Sequence, residues 1–399
     1  MISRVNFALP ADAPGGGGLG VAVQELLGRT LGTDFLVDYA SASALTHHVD
    51  AYAQSPVLFQ RLGIEWPVST ANPHPPTLLT LVLPFELVKY SHALAAWTLA
   101  MIFVLVATIR MVGLSWSLAV PIGVGLGLAM PGAYGISNPV LLIGFGVALA
   151  YRWHNEPFVA GLGIAIASAP KSSGLILVVP FLLARRFGTV AWAAICFAVM
   201  AAVPMLFQPD VWARYLDAGV QAIIFNQARP DNASLIHLGE TLGLSSIAPL
   251  AVVGLAGVVL ALLTRDTFWP TVWVMVVALP IAWMYSLLTF VPIGVLVFRR
   301  SGAVPIALVA AATGLTLAGP PLGRWPVAIF PIVTILIYVA MLIGPRLGDG
   351  DFWIPEPVEA ILFRRPRAAY LPDSASDPIN EPIPVGPGRD HGSNGDGSP

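Results

Sequence analysis

From about residue 92 to residue 344 the sequence is an almost unbroken succession of apolar segments, parted only by brief polar breaks. A helix needs about 20 apolar residues to cross a bilayer, and lipid is the solvent in which many such segments in series are stable. Charge is scarce to match. Of the 399 residues 11% are charged and 56% hydrophobic, whereas roughly 25% of an ordinary soluble domain is charged. A soluble globular protein, a disordered chain and a nucleic-acid binder are excluded. The net charge of −2 adds no acidic or basic bias toward a partner.

Spans are read at about 92–109, 113–133, 138–151, 156–170, 172–184, 188–207, 245–264, 267–281, 283–298, 303–320 and 324–343. Several are too short for a perpendicular helix. Short helices broken by Pro or Gly are expected where a bundle lines a cavity. The fold class is therefore all-α, a polytopic membrane bundle of about 11 helices over 92–344. Residues 1–91 are mixed in character and form an outer N-terminal segment, whose short juxtamembrane helices from 34 to 90 cap a cavity. Residues 345–399, rich in Pro, Gly, Asp and Ser, read as a disordered tail. Gly123, Gly125, Gly127, Gly161 and Gly163 are the small residues that would let helices approach closely. Cys196 is the lone cysteine, which excludes a disulfide framework.

Arg110, Arg152, Arg185, Arg186, Arg265, Arg299, Arg300 and Arg346 fall at alternate breaks. The positive-inside rule places those breaks, and the tail with Arg364, Arg365 and Arg367, in the cytoplasm of a plasma-membrane protein. The opposite breaks hold Ser137–Asn138, Lys171, the loop 208–244, Trp283–Tyr285 and Arg324. Eleven spans with an inner C-terminus put residues 1–91 outside. A span normally delivers such a segment across the membrane, and none is visible before residue 34. Either the start is assigned too late, which is the favoured expectation, or a first helix has been lost. Pro10, Asp12 and Pro14 interrupt the first apolar run, so no cleavable signal peptide is visible.

Polar groups on the outer side gather at five places. Asp34 and Asp38 share one face if their segment is helical, and a carboxylate at a membrane surface is a ready general base. The plain alternative is a helix-start charge in water. In Asn72-Pro73-His74-Pro75-Pro76 the prolines impose an extended approach and then start a helix, read as lying in the outer interface. Lys171 lies inside an apolar stretch, where an ionisable group is a functional candidate and a natural phosphate partner; the bland reading is snorkelling to the interface. The loop 208–244 offers Asp210, Trp212, Arg214, Tyr215, Asp231, Asn232, Ser234 and His237 to a sugar, or is an ordinary loop. Pro280 to Tyr285 breaks an apolar run with interfacial aromatics. No Walker-type phosphate loop and no zinc-type His spacing is present, and His47–His48 reads as an exposed loop pair.

In this order the five places resemble glycosyltransferase family 87, the polyprenol-phosphate-dependent alpha-1,2-mannosyltransferases of the GT-C superfamily. The pattern opens with Asp34, Phe35 and Tyr39 followed by the small residues Ala40, Ala42 and Ala44. His74 then stands before Pro75 and Pro76, and Gly135-Ile136-Ser137-Asn138 matches a Gly-Gln-x-Asn turn. Gly161, Gly163 and Lys171 match a Gly-rich helix ending near a Lys. Asn232, Ser234 and Leu235 match Asn-x-Ser-Leu, and Leu279 to Tyr285 lines up with a late Ser-Pro-x-Ser-Trp-x-His pattern. The resemblance covers about 31–345. Ile136 stands where the family has Gln, Ala282 where it has Ser, and Tyr285 where it has His.

The resemblance implies a GT-C-type helical bundle that transfers a hexose, mannose by family, outside the membrane. The donor is a polyprenyl-phosphate sugar and the acceptor a lipid-linked or cell-wall glycan. Asp34 lines up with the catalytic base. Tyr39, His74, Asn138, Lys171, Asn232, Ser234 and Tyr285 are the substrate-binding candidates, Lys171 for the phosphate. No cofactor, metal site, nucleotide site or nucleic-acid partner is expected. The rival readings are a transporter or flippase of lipid-linked sugars, which would show inverted repeats, and a non-catalytic relative assisting cell-wall assembly.

Overall fold

The computed structural model describes residues 33–63, 70–130, 137–229, 232–318, 326–344, 347 and 352. All belong to the first of two compact units, Met1–Pro355; the second, Glu356–Pro399, lies outside the described residues. The described chain is helical without strands, and the protein is an all-α polytopic membrane bundle.

In chain order the helices are α1 Thr33–Thr46, α2 Ser55–Gln60, α3 Pro76–Glu86, α4 Tyr90–Met111, α5 Trp116–Ala129, α6 Leu141–Arg152 and α7 Pro157–Ser168. A 3₁₀ segment, Ser172–Leu177, leads into α8 Val178–Leu183 and α9 Phe187–Ala202. Four short helices follow, α10 Val211–Arg214, a π turn Tyr215–Gly219, α11 Val220–Gln227 and α12 Leu235–Thr241. The remainder is α13 Ile247–Thr264, α14 Phe268–Val277, a 3₁₀ segment Met284–Phe290, α15 Val291–Arg300, α16 Ala303–Ala318 and α17 Pro326–Ile343. These helices fall on the expected spans to within a few residues. Tyr90–Met111, Phe187–Leu206 and Ile247–Thr264 are each long and apolar enough to cross a membrane alone.

The centre is set by small residues. A Cβ on Gly163 of α7 would lie 2.7 Å from the backbone nitrogen of Ala150 on α6. One on Gly161 would lie 2.6 Å from that of Ala193 on α9. Helix α7 is therefore held in backbone contact with α6 on one side and α9 on the other, the small-residue packing expected in lipid. Gly123 meets Val106 of α4 in the same way. Gly125, expected to make such a contact, faces open space.

The segment ahead of α4 is built into the bundle. On α1, Phe35, Leu36, Tyr39, Ala40, Ala42, Ala44 and Leu45 are buried, and the Phe35 ring stacks on Trp97 of α4 with centroids 5.0 Å apart. Helix α3 packs against the bundle. Its first half is buried, with Thr77 donating to the Ala169 carbonyl at 3.0 Å and Thr80 to that of Met200 at 2.6 Å. The loop 208–244 is largely helical rather than irregular.

Three arginines tie neighbouring chain turns together. Arg299 donates to the Val112 carbonyl at 3.0 Å, Arg186 to that of His154 at 2.6 Å, and Arg300 to that of Leu347. Two residues assigned by sequence to the tail are docked here. Leu347 and Phe352 are buried, and the Phe352 ring packs edge-on against Phe181 at 5.0 Å.

Candidate active site

Asp34 sits in the first turn of α1 and is partly buried. Its Oδ2 accepts from the Asn138 amide, which in turn donates to the Tyr285 hydroxyl at 3.2 Å, and that hydroxyl lies 3.5 Å from Oδ2. The Asn138 side chain is fixed from behind. Its Oδ1 accepts from the Val140 nitrogen at 2.8 Å, leading the chain into α6. The preceding Ser137 holds a left-handed φ of 54°. Such a backbone persists where neighbours enforce it: Trp97 donates to the Ser137 carbonyl at 3.0 Å and the Thr98 and Ser137 hydroxyls are 3.0 Å apart. Tyr285 is the second residue of the 3₁₀ segment that follows the Pro280 break, with Ser286 accepting from the Trp283 nitrogen at 3.3 Å.

One turn along α1, Asp38 is fully buried. Its Oδ1 receives His74 Nδ1 at 2.8 Å and the Asn72 amide at 3.0 Å. The 72–76 segment is rigid for stated reasons. Prolines flank His74, Asn72 accepts from the His74 nitrogen at 2.9 Å, and the Tyr52 hydroxyl donates to the His74 carbonyl at 2.8 Å. Lys171 lies in the extended turn between α7 and the 3₁₀ segment and donates to the Ile281 carbonyl at 2.9 Å.

Asp34, His74, Asn138, Lys171 and Tyr285 all line one cavity of about 590 Å³, walled also by Tyr215, Asn226, Arg229 and Trp283. Burial raises the Asp34 carboxyl above the ordinary carboxylate value, and Asp38 adds to this; the Asn138 bond and the His74 and Lys171 charges pull it back only in part. Burial alone would lower His74, but the Asp38 charge and hydrogen bond outweigh it and the imidazole titrates above its usual value. Burial brings the Lys171 ammonium down to about 8, with Asp34 opposing. The cavity thus holds a base of raised pKa beside two cations, a combination suited to proton removal and anion binding. Among the described residues no three His, Cys, Asp or Glu side chains gather as a metal ion would require.

Three expected site residues are placed elsewhere. Tyr39 donates to the Val88 carbonyl at 2.9 Å and packs against Tyr90. Asn232 is a buried clamp, donating to the Gln227 and Pro280 carbonyls and accepting from the Ala282 nitrogen, each at 3.0 Å. Ser234 caps α12, accepting from the His237 nitrogen at 3.1 Å. None lines the cavity. Asn232 still bears on the site, since it ties the 208–244 region to the 280–282 segment that leads to Tyr285. Sequence reasoning missed Arg229, whose guanidinium lies 5.0 Å over the Trp283 ring, and the pairing of Asp38 with His74. Ile136 falls outside the described residues.

The model of glycosyltransferase family 87 matches residues 73–297, more than half of the chain. The chain belongs to glycosyltransferase family 87. It is therefore a membrane glycosyltransferase. The match contains His74, Asn138, Lys171 and Tyr285 of the family 87 cavity; Asp34 and Asp38 lie ahead of it. No curated protein and no solved structure matches the chain.

Proposed function

We propose that the chain moves a hexose, mannose by family resemblance, from a polyprenyl-phosphate donor to a hydroxyl of a lipid-linked or cell-wall glycan on the outer face of the plasma membrane. The observation that carries this reading is the convergence of Asp34, Asn138, Tyr285, His74 and Lys171 on one cavity. Asp34 is the base. It takes the acceptor hydroxyl proton as that oxygen attacks the anomeric carbon from the face opposite the phosphate. The bond between carbon and phosphate oxygen breaks, and the polyprenyl phosphate departs with the electron pair. Lys171 offsets the charge that gathers there. Asn138 and Tyr285 hold the Asp34 carboxylate facing the acceptor. The donor already carries an activated sugar, so no cofactor is invoked.

A second cavity supports the donor class. The 3₁₀ segment Met284–Phe290 presents Tyr285 to the polar cavity and Leu287 and Leu288 to an apolar one of about 250 Å³, lined also by Leu126, Phe298 and Ile337. A polar chamber sharing a wall with an apolar one suits a molecule with a sugar-phosphate head and a hydrocarbon tail. The proposed orientation rests on Arg110, Arg152, Arg186, Arg299 and Arg300, which stand at helix ends and line no part of the cavity.

The test is transfer of labelled mannose from polyprenyl-phosphate mannose in membranes that express the chain, beside Asp34→Asn at equal protein level. Transfer that vanishes in the variant supports the reading. Equal transfer removes Asp34 as the base, and transfer from a nucleotide sugar alone overturns the donor class.

A further inference from the structure

Asp38 raises a problem that the transfer reaction does not answer. It is fully buried, and its Oδ2 has no hydrogen-bond partner. An isolated carboxylate in such a place is costly. The charge within reach is His74, whose Nδ1 lies 2.8 Å from Oδ1. Asn72 donates to the same oxygen and to Ser41 Oγ, so the carboxylate cannot turn away. The other ring nitrogen, Nε2, makes no hydrogen bond with any described residue, while the His74 side chain lines the cavity with Lys171.

We propose that His74, held as an imidazolium by Asp38, is the second phosphate-binding cation of the cavity and presents Nε2–H to the donor's phosphodiester beside the Lys171 ammonium. This inference rests on the lipid-phosphate donor proposed above and names what receives its phosphate. The tautomer makes the role sharp. With Nδ1–H given to Asp38, a neutral ring offers only a lone pair at Nε2 and repels a phosphate oxygen. Protonation turns the same atom into a donor. Two cations matched to one phosphodiester also leave Asp34 free to act as base. The charged groups acting on His74 are Asp38, Asp34 and Lys171; Arg229, Tyr215 and Tyr285 line the same cavity.

The experiment measures binding of farnesyl methyl phosphate, a phosphodiester whose charge is constant across the neutral range, to the full chain in lipid nanodiscs as a function of pH. Wild type is expected to bind tightly at acid pH and to weaken about tenfold, the worth of one charge-assisted hydrogen bond, as pH rises through a value above the ordinary histidine 6.5. A further loss follows near 8, where Lys171 titrates. His74→Gln should lack the first step, bind about tenfold more weakly at acid pH, and keep the second. Asp38→Asn should keep the first step but move it to lower pH, because the imidazolium has lost its counter-charge. A merely structural His74 would give neither result. His74→Gln with wild-type affinity and an unmoved first step overturns the proposal alone. If that variant does not fold, an unmoved step in Asp38→Asn decides against it. Wild type that binds the probe at no pH overturns both this proposal and the donor class.

Discussion

The side-chain amide of Asn138 donates to Oδ2 of Asp34, 104 positions earlier in the chain. One hydrogen bond thereby joins the buried N-terminal helix to the turn that starts α6. It occupies Oδ2 of Asp34; on the proposed reaction Oδ1 takes the acceptor proton. The bond also stabilises the ionised form against the burial that opposes it.

Asp34→Asn is expected to lower transfer by about 100-fold or more, the usual worth of a positioned base, with unchanged expression. Asn138→Ala should lower it less and shift the acid limb of the pH profile upward, since the bond that favours the carboxylate is gone. Initial rates across pH for both variants check this.

The pH profile of wild-type transfer should be a bell. Activity falls on the acid side as Asp34 takes a proton, and that limb stands above the ordinary carboxylate value because burial raises Asp34. It falls on the basic side first as His74 deprotonates above the ordinary histidine value and again near 8 as Lys171 loses its charge. Lys171→Met should remove the part of the basic limb near 8 and raise the donor KM; a profile flat on both sides would count against both assignments.

Tyr285→Phe removes the hydroxyl shared with Asn138 and Asp34. The bond to Asp34 is long, so a rate loss of about tenfold or less, within the worth of one neutral hydrogen bond, is expected. Tyr285→His restores the residue common in the family and should retain transfer. Thermal unfolding of both should match wild type.

Asn232→Ala should act on folding rather than on chemistry. It leaves the carbonyls of Gln227 and Pro280 and the nitrogen of Ala282 without their shared partner, at about 1–3 kcal/mol for each buried group left unsatisfied. A lowered unfolding temperature with an unchanged donor KM in the folded fraction is the expected pair of results.

The helices were legible because apolar runs of membrane length are written in consecutive residues. The alternation of arginine and polar breaks was legible too, and it anticipated which loops meet at the cavity. What escaped was pairing between distant positions. Asp38 and His74 are 36 residues apart, and no periodicity links them. Asn232 looked like a sugar ligand because a polar side chain in a connecting segment reads the same whether it faces substrate or ties backbone together. Ser234 carried a usable signal, since Ser before an apolar helical run is a common N-cap. The packing partners of α3 were hidden by its composition, because an apolar helix at a lipid surface and one against a protein core read alike.

The backbone contact between α6 and α7 has a consequence for the site. Asn138 stands just before α6 and Lys171 just after α7, so the amide that grips Asp34 and the ammonium assigned to the phosphate sit at the two open ends of one antiparallel hairpin. Where Gly163 touches Ala150 and Gly146, main chain rests on main chain. Gly163→Ala would force the pair apart at a cost of about 1–3 kcal/mol, whereas Gly125→Ala, with nothing near it, should leave thermal unfolding unchanged. On the proposed reaction, the hairpin sets the spacing between the base that takes the acceptor proton and the cation that receives the leaving phosphate.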